Sequence, residues 1–382
     1  MMLGLLVAAC RFDPSGQTPG DGVDATPGDD GQMPPDDGND DPSWWDPDFR
    51  GRVRIAIDNP PTDEELRDVP VLVVLEDGRV DYGRTAADGR DLRFVDESGN
   101  ELEYEIERWD PSGSSFVWVR VPVIASGAST SFWLYHDNPE ASELDAPDVW
   151  SDDYLAVWHL AEDAAAGGSG TMHRDATGRG NDGVQNGNGL AGPQVDPIGG
   201  AQAFDGDDDF IEVSEDGLQE SGTALTLLVR VYVDGEPNEF SFALGSGSGG
   251  EIQWQIAWQR ETNTWAARID TESTFAFSVS NTPAALYTWY MLAMVYDGTE
   301  ARLYVDGEPQ GTAVAVTGNL QPLAGPLYIG YNPDEGATQL DGIVDEVRIA
   351  KVARSPSWLR VQHASMNDDL LDFGTAECLG GC

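Results

Sequence analysis

DGIVDEVRIAKVARSPSWL, residues 341–359, reads as a strand that runs into a short helix. Residues Ile343 to Ile349 read as a strand, whose side chains point alternately to two faces. Ser355 then stands as a helix N-cap, with Pro356 at the first helical position, where a missing N–H costs nothing. The same period sorts two adjacent acids. Ile343, Asp345, Val347 and Ile349 share one face, and Val344, Glu346 and Arg348 share the other. Glu346 is expected to pair with cations in solvent. Asp345 keeps apolar company, where an ionised carboxylate needs donors, a cationic partner or a bound cation. Arg348, on the opposite face, is excluded as that partner.

The chain around this stretch is long enough for two or three domains, at 382 residues. It carries 68 acidic against 21 basic residues, a formal net charge of -47. Nucleic acid is excluded as a partner, because its phosphates need basic clusters that this chain lacks. Three cysteines, Cys10, Cys378 and Cys382, lie at the ends, so no internal disulfide framework or cysteine-rich metal site is expected.

The opening MMLGLLVAAC, residues 1–10, is apolar, too short to span a bilayer, and ends in small residues before Cys10. It resembles a bacterial lipobox, which implies lipidation of Cys10 and a protein anchored to the outer membrane or cell surface, touching membrane only through that lipid. Residues 11–43 are rich in Asp, Gly and Pro and poor in large apolar side chains. Such a segment self-repels and serves as a disordered acidic tether.

From Trp44 onward the pattern is all β. Strand-like runs start at Arg52, Val69, Asp91, Leu102, Phe116 and Ser131, separated by Gly, Asp and Pro clusters, and they predict a first antiparallel β-sandwich over residues 44–141. A polar linker follows at 142–153. A second set of strands then fills 154–372, and 373–382 reads as a C-terminal tail. YDGTEARLYVDGEPQG, residues 296–311, is a hairpin with Asp-Gly turns on both sides of its central strand.

Two resemblances sharpen this reading. ADGRDLRFVDESGNELEYEIERWD (residues 87–110) and SSFVWVRVPVIASGASTSFWLYHDNPEA (114–141) look like a bacterial family of unknown function found beside LamG-like domains in surface proteins. AVWHL, DATGRGNDG, AQAFDGDDDFI and the 341–359 stretch, in that order, are similar to the LamG-like jellyroll of the concanavalin A-like lectin/glucanase superfamily. The second sandwich is therefore expected to be such a jellyroll. A carbohydrate or a surface protein is its implied ligand.

Catalysis finds little support in the residues. Related hydrolases carry an alternating acidic run of the type Glu-x-Asp-x-x-Glu, and none occurs here. The histidines His136, His159, His173 and His363 are scattered, and His159 sits beside core-like Val157 and Trp158. The chain is thus read as a non-catalytic lipoprotein for recognition or adhesion, with a carbohydrate-active enzyme or a structural envelope protein as alternatives. Calcium is the expected cofactor. Asp175, Asn181 and Asp182 lie in a glycine-rich loop, and resemblance to calcium-containing jellyrolls implies that this loop meets Asp345 around the ion. Asp205, Asp207, Asp208 and Asp209 form a rival acidic cluster. Trp254 and Trp258, four apart on one strand, are the expected sugar-stacking pair.

Overall fold

The protein is described by a computed structural model over residues 44–142, 148–162, 169–187, 198–235, 240–248, 251–333 and 338–380. Cys10, the signal and the tether lie outside the described residues. Two antiparallel β-sandwiches form, as the alternating runs predict.

In the first, the three strands Leu66–Leu75, Ser115–Ile124 and Tyr104–Arg108 form one sheet. Facing it, Gly51–Ile57 pairs with Thr130–His136, which pairs with Arg93–Asp96. In the second sandwich, one eight-stranded sheet runs from Phe275–Pro283 at its edge through Thr264–Asp270, Glu251–Gln259 and Phe240–Ser248 to Met172–His173. The other has Asp341–Ala350 and Leu225–Val233 at its centre. Between them lies an apolar core that includes Trp158, Val229, Trp254, Trp258, Trp265 and Val347.

The two sandwiches do not behave as beads on a linker. Residues 40–382 form one compact unit. A single apolar cluster joins Val71, Val119 and Leu134 of the first sandwich to Leu228, Met291 and Ala293 on the outer face of a jellyroll sheet. Val149 and Trp150, read as linker, are buried in that shared core. The helix Pro356–Met366 is capped by Ser355, whose Oγ accepts the N–H of Trp358 at 3.1 Å. It docks on the first sandwich: Ser365 Oγ accepts the N–H of Leu72 at 2.7 Å, and Gln362 Nε2 donates to the carbonyl of Pro70 at 2.8 Å. The expected tail is also structural. Asp372–Phe373 and Glu377–Cys378 both pair with Gly51–Ile57, extending the first sandwich with residues from the far end of the chain. Cys378 is disulfide-bonded.

Period two breaks inside the opening stretch. Leu228 pairs with Arg348, but Arg230 pairs with Asp345, so the long strand carries one extra residue there. Glu346 takes it up with φ 53°, a left-handed conformation uncommon outside glycine. Asp345, Glu346 and Arg348 are thereby turned to one side, toward the first sandwich, while Val344, Val347 and Ile349 fill the jellyroll core.

Candidate functional site

The bulge corrects the expected site residue by residue. Asp345 is fully buried, as its apolar neighbours suggest, but it meets Arg230 rather than a metal-binding loop: Nη1 of Arg230 donates to Oδ2 at 3.0 Å, and so does the N–H of Ile198. Asp175 shapes its own loop. Its Oδ1 accepts the N–H of Val157 and of Thr177, and its Oδ2 that of Asn181. Asp182 accepts the N–H of Asp175 at 2.9 Å, and Asn181 Nδ2 donates to the Leu155 carbonyl. Among the described residues, no hydrogen bond or ion pair joins Asp345 to this loop. The expected calcium bridge finds no contact between the two: Oδ2 of Asp345 accepts from Arg230 and Ile198, and the loop carboxylates accept backbone N–H groups.

The rival acids converge more closely. Asp205, Asp208 and Asp209 bring carboxylate oxygens within 4.8 Å of one another, while Oδ1 of Asp205 also accepts the N–H groups of Asp207 and Asp208. Asp341 lies opposite Asp205 in register. Burial, a hydrogen bond with Asp234 and the charges of Asp234 and Asp205 push its carboxyl up to about 6.

Trp254 and Trp258 do share a face, and it is the core face. They are 0% and 4% exposed, Trp258 lies 6.2 Å from Trp265, and neither can stack on a sugar. Exposed aromatics lie at the edge of the same sheet. In Phe275–Pro283, Phe275 and Phe277 are 51% and 36% exposed while Ala276 and Ser278 between and beside them are buried. Arg268 lies across from Phe277 in register, stacks its guanidinium 4.3 Å from the Phe275 ring and grips Asp270 with two hydrogen bonds of 2.6 and 2.8 Å. This apolar ledge with a charged pair beside it faces away from the first sandwich, since the other sheet makes that interface. A second aromatic recess, of about 370 Å³ on the first sandwich, is lined by Trp44, Trp45, Trp133 and Tyr135. Its own Arg52 lies 4.3 and 4.2 Å from the Trp44 and Trp133 rings, so two of its stacking faces are already used.

The densest polar cluster is one the sequence hides, at the interface between the sandwiches. Glu346, expected in solvent, is fully buried. Its Oε1 lies 2.6 Å from Nδ1 of His159, and its Oε2 accepts Nε of Arg348 at 2.9 Å. The Arg348 guanidinium lies 4.2 Å from the Trp118 ring and 4.7 Å from Trp150, and it donates to Gln362 at 2.8 Å. From the first sandwich, Glu107 places Oε2 3.5 Å from Nδ1 of His159, and Glu105 places Oε2 3.6 Å from Nε2. Burial opposes ionisation of Glu346, yet His159 and Arg348 outweigh it and hold the carboxyl at about 2. Burial lifts the Glu107 carboxyl well above its usual range, with His159 pulling the other way. Burial likewise opposes charge on His159, and the nearby carboxylates overcome it and raise the imidazole well above its ordinary value. No sequence signal marks this site, since it depends on a bulge and on two strands more than two hundred residues apart.

No curated protein sequence matches the chain. Solved structures that are similar include the Trypanosoma rangeli sialidase in complex with sialic acid, at 14% identity and TM-score 0.43, covering 71% of this chain and 42% of that one. Domain 4 of the arabinanase AbnA from Geobacillus stearothermophilus, in complex with arabinotriose, is similar at 14% identity and TM-score 0.38, with 55% of this chain and 98% of that one covered. The receptor binding domain of botulinum neurotoxin C/D mosaic serotype has 9% identity and TM-score 0.42, with 56% and 51% covered. The chain spans less than two thirds of the sialidase and of the toxin domain. Residues 88–152 match the family described as Domain of unknown function (DUF2341), and residues 205–360 match the Concanavalin A-like lectin/glucanases superfamily, so the second sandwich is a concanavalin A-like jellyroll behind a domain of that family.

Proposed function

We propose that this protein is a non-catalytic recognition module, lipid-anchored through Cys10 at a cell surface, whose jellyroll binds carbohydrate along the Phe275–Pro283 edge. The observation that carries the reading is the exposed Phe275 and Phe277 pair beside the Arg268–Asp270 ion pair. Flat apolar rings next to fixed donors and acceptors suit a sugar, which offers an apolar face and a rim of hydroxyls. The solved carbohydrate complexes among the similar structures agree with this reading.

Against catalysis stand the acid pairs themselves. Glycosidases hold two carboxyls at least about 5 Å apart across an open cleft. Glu107 and Glu346 are 2% and 0% exposed at the side chain, closed to a polysaccharide. Asp234 and Asp341 are hydrogen-bonded to each other, too close for a sugar to pass between. Fold alone does not decide the matter, because such folds carry sites of many kinds.

A glycan array probed with the whole protein tests the reading. Binding should fall at least tenfold in Phe275→Ala/Phe277→Ala, with unchanged circular dichroism. Equal binding by the double variant would remove the ledge as the site, and an array without hits would remove the carbohydrate. Fatty-acid labelling of the wild type but not of Cys10→Ser tests the anchor.

A further inference from the structure

We propose that Glu107, His159 and Glu346 form a divalent transition-metal site that ties the first sandwich to the jellyroll. One donor atom from each lies within 4.8 Å of the others, and the three come from three separate elements: Tyr104–Arg108, the residue following Tyr154–Trp158, and Asp341–Ala350.

Two observations point the same way. First, both carboxylates are held in place by an outer partner. Glu107 Oε2 accepts Nε1 of Trp118 at 2.8 Å, and Glu346 Oε2 accepts Nε of Arg348 at 2.9 Å. Metal ligands are oriented in this manner by outer partners, and a ligating histidine turns its second nitrogen to a carboxylate, as Nε2 of His159 faces Glu105 here. Second, Oε1 of Glu107 is buried without a hydrogen-bond partner. Such atoms are rare in folded proteins and call for an ion or water.

The donor set names the class of metal. An imidazole nitrogen with two carboxylate oxygens suits zinc, manganese or iron, whereas calcium and magnesium take oxygen alone. Donors about 2.1 Å from a tetrahedral ion stand about 3.4 Å apart. Oε2 of Glu107, the oxygen that also accepts from Trp118, stands 3.5 Å from Nδ1 of His159 and matches this spacing, and the 2.6 Å between His159 and Glu346 opens as the ion enters. Glu105, with its side chain 24% exposed, marks the way in from solvent. This site is independent of the carbohydrate ledge.

Full-length protein stripped with chelator and titrated with Zn²⁺ or Co²⁺ tests it. One ion per chain should be retained, the melting temperature should climb with the logarithm of zinc concentration, and Co²⁺ should give a visible ligand-field spectrum. Glu107→Gln keeps the side-chain volume and an acceptor for Trp118, and it should lose the spectrum and the zinc-dependent shift, as should His159→Asn. His173→Asn should keep both. X-ray absorption at the zinc edge of the wild type, which needs no variant, should show one imidazole among oxygen donors. The proposal is overturned if no stoichiometric ion is held, if Glu107→Gln and His159→Asn bind as the wild type does, which is adventitious binding to surface acids, or if the absorption spectrum shows oxygen donors alone.

Discussion

Arg230 answers the question that Asp345 raises. Its strand, Leu225–Val233, is apolar apart from Thr226 and the Tyr232 hydroxyl, and an arginine there is expected to have a specific partner, yet nothing local says which acid it meets. Replacing Arg230 by leucine leaves the Asp345 carboxyl buried with the N–H of Ile198 as its remaining donor among the described residues. An uncompensated buried charge costs about 3–5 kcal/mol, whereas removing both partners is far milder. Denaturant unfolding should therefore show a large loss of stability for Arg230→Leu and recovery of most of it in Arg230→Leu/Asp345→Leu; equal losses would mean that the pair is not coupled. Asp341 offers a second test, through pH. Its folded-state carboxyl is raised to about 6 from 3.8. Folding thus takes up a proton in this window, and stability falls as pH rises from about 4 to 6 and is level above. Asp341→Asn should raise the melting temperature at pH 7 and flatten that segment of the pH profile. A wild-type profile that rises through the window would contradict the assignment.

At the scale of elements, what the sequence makes legible is what period two can carry. Alternation found the strands, and Ser355-Pro356 found the start of the helix, because both signals are local. Even the tryptophan face was legible. Trp254, Ile256 and Trp258 form one side of the strand and Gln253, Gln255 and Gln259 the other, so alternation itself assigns the tryptophans to the core. What no local pattern shows is a bulge: a single left-handed residue, Glu346, shifts the register by one and moves Asp345 from the face of Val347 to that of Glu346 and Arg348. The terminal strands escape for a different reason. Asp372–Phe373 and Glu377–Cys378 are two residues long, too short for any periodicity, and they count only because a partner edge from residues 51–57 awaits them. Truncation after Asn367 removes both, together with Asp368, which holds Arg79 through two hydrogen bonds of 2.8 and 2.7 Å. The truncated chain should melt markedly lower and aggregate through the bared Gly51–Ile57 edge, an outcome readable by light scattering. If it stays monomeric with its melting temperature unchanged, these strands are decoration.

The whole molecule turns on a shared interior between the sandwiches. Interfaces between independent domains are usually modest and polar, and a boundary is expected where few contacts cross. Here the outer face of one jellyroll sheet contributes Leu228, Met291, Ala293 and Val295 to the same cluster as Leu72, Val119 and Trp118 of the first sandwich, with Trp358, Leu359 and Val361 of the helix closing it. Charge is handled in the same place: Arg348 reaches Trp118 in the first sandwich, Trp150 between the sandwiches and Gln362 in the helix. The polar composition of residues 142–153 suggests a hinge, but composition reports the surface of a segment, and Val149 and Trp150 turn the other way. Limited proteolysis of the full chain should therefore leave one resistant core from about residue 44 to beyond residue 370, even if the backbone is nicked between residues 143 and 147. A chain begun at residue 150 would expose the jellyroll half of the cluster. Burial of apolar area contributes about 25 cal/mol for each Å², so losing this face should cost more than a marginally stable domain can spare. That fragment should appear insoluble, or soluble only when residues 44–142 are supplied as a second chain; a stable, monomeric fragment with a cooperative melt would show that the jellyroll folds alone and that the shared cluster is a docked surface.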